Sequence, residues 1–189
     1  MIKILIADDH GVVAEGLKHL IEAQPDLKVV AIVGDGREAV RQARELEPEV
    51  VLMDLSLPEL NGADATRAIL QNNDRCRVIV LSMYSDPEYV RRALKAGALG
   101  YVVKRSAATE LVEAIRAVHA GSRYLSQRVA DAVVSISDDG HGFDLASAAR
   151  AGRWGMRTMR ERAEAAGGRI DVFSSPGKGT SVIASARVA

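Results

Sequence analysis

Ile2-Lys3-Ile4-Leu5-Ile6-Ala7-Asp8-Asp9-His10 is the stretch whose reading decides the fold. A short apolar run that ends in two carboxylates reads as a buried strand; it is too short for a membrane span and lacks a signal-peptide cleavage site. Outward from it, short apolar runs alternate with longer amphipathic segments. They are 2–7 then 12–23, 29–33 then 37–46, 50–53 then 63–71, 78–81 then 87–96, and 101–103 then 107–120. This alternation specifies parallel βαβ units and predicts an α/β fold, a (βα)₅ doubly wound parallel sheet. Gly97 and Gly121 read as helix stops.

A chain of 189 residues, 48% hydrophobic and 26% charged, can bury a substantial core. Its length fits one domain of usual size and a remainder too short for a second large one. The 25 basic and 25 acidic side chains cancel, so the overall field draws the chain neither to nucleic acid nor to an anionic membrane. Cys76 is the sole cysteine and the four histidines are scattered, which excludes an internal disulfide and leaves no zinc-ligand spacing. The chemistry falls to carboxylates.

In an open parallel sheet, ligands bind at the carboxyl ends of the strands near the point where strand order reverses. The residues ending the apolar runs are Asp8-Asp9, Asp54, Ser82 and Lys104. An aspartate after one strand is commonly a helix cap; the full set at successive strand ends points to a functional site. Three neighbouring carboxylates repel one another, and a divalent cation relieves this; Mg²⁺, which keeps waters and phosphate oxygens beside a few carboxylates, suits an open acidic rim. Lys104 adds positive charge and Ser82 a hydrogen-bond donor for an incoming phosphoryl group. Asp54 is the natural nucleophile, being the middle acidic position and followed by a loop over 55–62.

Ile4-Leu5-Ile6-Ala7-Asp8-Asp9-His10, Val51-Leu52-Met53-Asp54-Leu55-Ser56-Leu57-Pro58 with Asn61-Gly62, Val80-Leu81-Ser82-Met83, and Gly97-Ala98 through Gly100-Tyr101-Val102-Val103-Lys104 together resemble a receiver domain of the NarL/FixJ type. The resemblance covers about 120 residues and implies the flavodoxin-like fold for 1–122. It further implies phosphorylation of Asp54 by a partner histidine kinase in the cytoplasm. Asp8, Asp9 and Asp54 would hold Mg²⁺ with the Ser56 backbone carbonyl, Ser82 and Lys104 would bind the phosphoryl group, and Tyr101 would act as the switch. A hydroxyl that gains a charged partner only in the phosphorylated state has the differential affinity a two-state loop needs. Leu111, Val112, Ile115 and Val118 follow helical spacing, and most face the sheet. A homodimer through the first or the fifth helix is implied by resemblance only.

The last third departs from that family, which usually continues into a DNA-binding helix-turn-helix. A linker helix is expected over 123–132, with Ser126 as its cap and an end near Val134. Then 133–137 reads as a strand, 138–143 as a glycine turn, 155–166 as a helix, and 169–174 and 180–186 as strands joined by Ser175-Pro176-Gly177-Lys178-Gly179. The segment 133–189 is thus a small β-α-β-β piece. Asp138-x-Gly140-x-Gly142-Phe143, Gly152-x-x-Gly155-Met156, Gly167-Gly168 and Gly179-Thr180 resemble the C-terminal part of a GHKL histidine-kinase ATPase domain. That resemblance implies nucleotide contacts from Asp138, Gly140, Gly142, Gly155 and Thr180.

The first half of such a domain, with its Mg²⁺-binding asparagine, is missing, which argues against kinase or ATPase activity and weighs against ATP binding. Arg150, Arg153, Arg157, Arg160 and Arg162 form a basic run that a solvated helix face explains better than phosphate contact. With no basic recognition helix, DNA is expected not to be a partner. The reading is a non-enzymatic signalling switch, with an ATP-binding regulator and a transcription regulator lacking its usual DNA-binding domain as alternatives.

Overall fold

Each apolar run becomes a strand at the place its pattern assigns. In the computed structural model, which describes residues 1–73, 75–130, 133–138, 140–144, 154–165 and 168–186, strands β1 (Ile2–Ala7), β2 (Leu27–Val33), β3 (Val50–Asp54), β4 (Arg77–Ser82) and β5 (Gly100–Val103) alternate with helices α1 (Gly11–Glu22), α2 (Gly36–Leu46), α3 (Gly62–Asn72), α4 (Pro87–Lys95) and α5 (Ala107–His119). The helix starts have chemical causes. Asp35, Asn61 and Asp86 cap α2, α3 and α4, each side-chain oxygen accepting an N–H of the first turn. Pro87 opens α4, where its missing N–H costs nothing.

The strands are parallel in the order β2-β1-β3-β4-β5, the doubly wound, flavodoxin-like arrangement expected. Strand order reverses between β1 and β3, so the rim beyond Ala7 and Asp54 is where such a sheet admits ligands. All five β3 residues are buried, the mark of a strand covered on both faces. One face packs on α1 through Ala14, Leu17 and Ile21 and on α5 through Leu111, Ala114, Ile115 and Val118, with Ile4, Ile6, Leu52, Ile79 and Leu81 beneath. Val112 lies at the edge of this cluster, only partly buried.

Five strands were expected in the parallel sheet, and among the described residues it has six. Tyr124–Leu125 forms β6, parallel to β5, with Tyr124 opposite Gly100 and Leu125 opposite Tyr101. A two-residue strand is too short to leave a hydrophobic period, so its partner rather than its own pattern defines it. Of the helix expected to run on to Val134, Gln127–Ala130 (α6) is helical and Val133 already belongs to a strand; Ser126 stands immediately before α6, and its hydroxyl also bonds β5 and α5.

The chain divides into two compact units, Met1–Ser126 and Gln127–Ala189. The second contains α6, β7 (Val133–Asp138), α7 (Trp154–Ala165), β8 (Gly168–Ser174) and β9 (Thr180–Ala186). Its strands form an antiparallel sheet in the order β7-β9-β8. The β8–β9 loop places Gly177 and Gly179 at φ of 77° and 70°, the conformation the glycines were expected to provide. Gly152, Gly167, Arg150 and Arg153, singled out from the sequence, lie outside the described residues.

Candidate functional site

The acidic rim is built by strand ends that are neighbours in the sheet. Register places Ala7 beside Met53 and Asp54 beside Leu81, so Asp8, Asp54 and Ser82 leave adjacent strands at one level. Asp8 is 2% exposed, Asp54 4% and Ser82 2%. Three residues of this kind, buried at the end of a sheet, need partners inside the protein or from a ligand.

Lys104, at the start of a 3₁₀ turn (Lys104–Ser106) after β5, supplies part of that partnership. Its Nζ donates to Asp54 Oδ2 at 2.7 Å and lies 2.7 Å from Asp8 Oδ2. The contact to Asp8 is an ion pair without hydrogen-bond direction, and Asp8 Oδ2 is left buried with no hydrogen bond. Burial lowers the pKa of Lys104, but the hydrogen bond to Asp54 and then the contact with Asp8 outweigh it and hold the ammonium above its ordinary value.

A third carboxylate, Asp9, stands beside this pair: one ligand atom each from Asp8, Asp9, His10 and Asp54 lies within 4.8 Å of the others. The remaining oxygens are partly engaged. Asp8 Oδ1 accepts the His10 N–H at 2.9 Å, Asp54 Oδ1 accepts the Ser56 N–H at 3.1 Å, and His10 Nδ1 stands 2.8 Å from Asp9 Oδ1. An excess of negative charge, oxygen donors and a buried Asp8 oxygen held by an ion pair without a hydrogen bond together fit a hard divalent cation such as Mg²⁺.

Two groups link this rim to its surroundings. Ser82 Oγ accepts the Tyr84 N–H at 3.2 Å, and the wholly buried Tyr101 donates its hydroxyl to the Tyr84 carbonyl at 2.7 Å. Burial pushes the Tyr101 phenol up to about 12, so it stays a donor. Tyr84 in turn stacks on Tyr89 of α4 with ring centroids 4.6 Å apart. The loop after β4, which follows directly on Ser82, is therefore fastened to β5 at one side and α4 at the other.

Residues 4–116 match the response regulator receiver domain family. The chain belongs to that family. Among relatives of this response regulator are the transcriptional regulatory protein LiaR of Bacillus subtilis, 42% identical over 71% of this chain and 64% of LiaR, and the response regulator GacA of Pseudomonas syringae, 39% identical over 69% of this chain and 61% of GacA. The response regulator thus spans less than two thirds of either relative. A two-component response regulator of the LuxR family from Aurantimonas sp. SI85-9A1 is similar in structure, with a TM-score of 0.66, 43% identity, and coverage of 68% of this chain and 92% of that one. The relatives' naming as transcriptional regulators gives no support to the expectation that DNA is not a partner.

The structure of this response regulator assembles Asp8, Asp9, Asp54, Ser82, Lys104 and Tyr101 in the first unit. Two participants carried no role in the sequence reading. His10 joins the acidic cluster, signalled only by its place after Asp8-Asp9. Gly62, eight residues beyond Asp54, packs so closely that a Cβ there would stand 2.0 Å from the Asp54 carbonyl oxygen. Any side chain at 62 would move the backbone that carries the aspartate.

The second candidate set lies in the other unit. Asp138 ends β7, Gly155 is in the first turn of α7, and Thr180 opens β9. The turn with Gly140 and Gly142 packs on the β8–β9 loop. Gly177 N–H donates to the His141 carbonyl at 2.6 Å, Phe143 N–H donates to Ser174 Oγ at 2.8 Å, and that oxygen lies 3.0 Å from Thr180 Oγ1. A Cβ on Gly142 would meet the Ser175 carbonyl oxygen at 2.0 Å, which explains the glycine.

Proposed function

We propose that the chain is a cytoplasmic phosphoacceptor switch of a two-component relay, not itself an enzyme. Asp54 takes a phosphoryl group from a phosphohistidine of a partner kinase. A carboxylate oxygen of Asp54 forms the new P–O bond as the P–N bond breaks, and the departing imidazole nitrogen keeps the electron pair. Asp8, Asp9 and Asp54 would hold Mg²⁺, together with the Ser56 backbone carbonyl, and the ion supplies charge neutralisation at the phosphoryl oxygens. Lys104 and Ser82 bind those oxygens, and Tyr101 senses the move of Ser82.

The observation that carries this reading is Lys104 Nζ, 2.7 Å from both Asp54 and Asp8, buried at the open end of the sheet. A pre-placed cation is what a carboxylate needs if it is to accept a dianionic group. Intact-mass analysis after exposure to acetyl phosphate, with and without Mg²⁺, tests it. A single Mg²⁺-dependent phosphoryl adduct, lost in Asp54→Ala, is the expected result; no adduct under any condition rejects the reading. Size-exclusion chromatography of the same samples reports whether phosphorylation favours a homodimer.

A second reading, nucleotide binding by residues 133–189 through Asp138, Gly140, Gly142, Gly155 and Thr180, is favoured by the packing of the 140–143 turn on the 174–180 loop. Titration of the chain with ATP decides it: binding at millimolar or tighter supports a ligand role, and none leaves the segment structural. The regulatory relatives make DNA a third partner to test, by a duplex mobility shift that weakens with salt.

A further inference from the structure

β6 is the last part of the first unit before the chain leaves it at Gln127. Tyr124 N–H donates to the Leu99 carbonyl at 3.1 Å and Ser126 N–H to the Tyr101 carbonyl at 2.9 Å. The next rung of a parallel ladder would carry the Val103 N–H to the Ser126 carbonyl; it donates instead to Ser126 Oγ at 3.0 Å. The same hydroxyl donates to the Glu110 carboxylate on α5. Ser126 is 0% exposed, so one buried side chain fastens β5, α5 and the exit of the chain. Displacing such a group strands a desolvated donor or acceptor, which makes the arrangement two-state rather than graded.

The strand so fastened is the one that faces Asp54 chemistry. Tyr101, whose carbonyl accepts from Ser126, holds the loop after β4 through its hydroxyl. Val103, whose N–H is taken by Ser126 Oγ, immediately precedes Lys104. A phosphoryl group on Asp54 gives Lys104 a new anionic partner, and any shift of Lys104 acts one residue away from the Val103–Ser126 bond.

We propose that Ser126, held by Val103 and Glu110, is a positioning residue through which the Asp54 site and the chain from Gln127 onward bias one another. The proposal rests on the reading of Asp54 as phosphoacceptor. Phosphorylation opens the clamp, and by linkage an open clamp alters the phosphorylation of Asp54.

Hydrogen exchange by mass spectrometry on the full chain, before and after acetyl phosphate and Mg²⁺, tests it, with the adduct verified by intact mass. In the wild type, amides across 122–130 exchange about tenfold faster after phosphorylation. Ser126→Ala exchanges fast there in both states while the response across 82–104 persists, and Ser126→Thr, which keeps the hydroxyl, restores the wild-type difference. Glu110→Ala, a second route to the same loss, repeats the Ser126→Ala pattern if the clamp is real. Unchanged exchange across 122–130 in the phosphorylated wild type, or a wild-type difference surviving in Ser126→Ala, overturns the proposal. Absence of the mass adduct overturns the phosphoacceptor reading and this one with it, and is distinguished because it appears before any exchange is measured.

Discussion

Gly62 and Tyr101 show how single residues outside the acidic set control it. Because a Cβ at 62 would overlap the Asp54 carbonyl oxygen at 2.0 Å, relief must come from the backbone that carries Asp54, the proposed phosphoacceptor. Gly62→Ala is expected to cost about 1–3 kcal/mol in urea unfolding and to slow phosphorylation by acetyl phosphate; unchanged values in both assays would show that the loop relaxes freely. Tyr101 makes a smaller, separable contribution. Its hydroxyl bonds the carbonyl of Tyr84 in the loop after β4, so Tyr101→Phe should cost about 0.5–1.5 kcal/mol while the Asp54 adduct still forms. A variant that folds but takes no phosphoryl group would move Tyr101 from the proposed switch role to the reaction itself.

At the scale of elements, Glu49 ties together the end of the sheet opposite the site. Its carboxylate accepts the Lys3 N–H at 3.0 Å and meets His119 Nε2 at 3.0 Å, joining the start of β1 and the last turn of α5 to the residue before β3. The Lys3 N–H first and His119 second hold the Glu49 carboxyl below its ordinary value. For a carboxyl depressed in the folded state, the stabilisation is present above the unfolded value and is lost as pH falls through the folded one. Melting temperature should therefore fall below pH 4.5 less steeply in Glu49→Gln than in the wild type. Parallel acid profiles would show that the contact contributes nothing beyond what water offers. The sequence placed these elements well because each strand and helix carries its own period, but β6 carries none and no local pattern marks the bonds of Ser126 to Val103 and Glu110.

The whole molecule comprises two units, and the buried cluster beneath the sheet lies entirely within the first. A chain ending at Ser126 keeps that cluster, the acidic rim and β6. It is expected to fold and to take the Mg²⁺-dependent phosphoryl group at Asp54; failure to fold would show that the first unit draws stability from residues beyond it. The sequence alone determined the alternation of strand and helix, the doubly wound sheet, and the delivery of Asp8, Asp9, Asp54, Ser82 and Lys104 to one rim, because hydrophobic period fixes element type and chain direction fixes which end of a parallel strand faces the ligand. Tertiary structure decided that Lys104, 50 residues beyond Asp54, joins it to Asp8, that Gly62 presses on the Asp54 carbonyl, and that Ser126 closes on Val103 and Glu110. Those contacts depend on lateral strand order and on distances of a few ångströms between segments remote in the chain, and local patterning records neither.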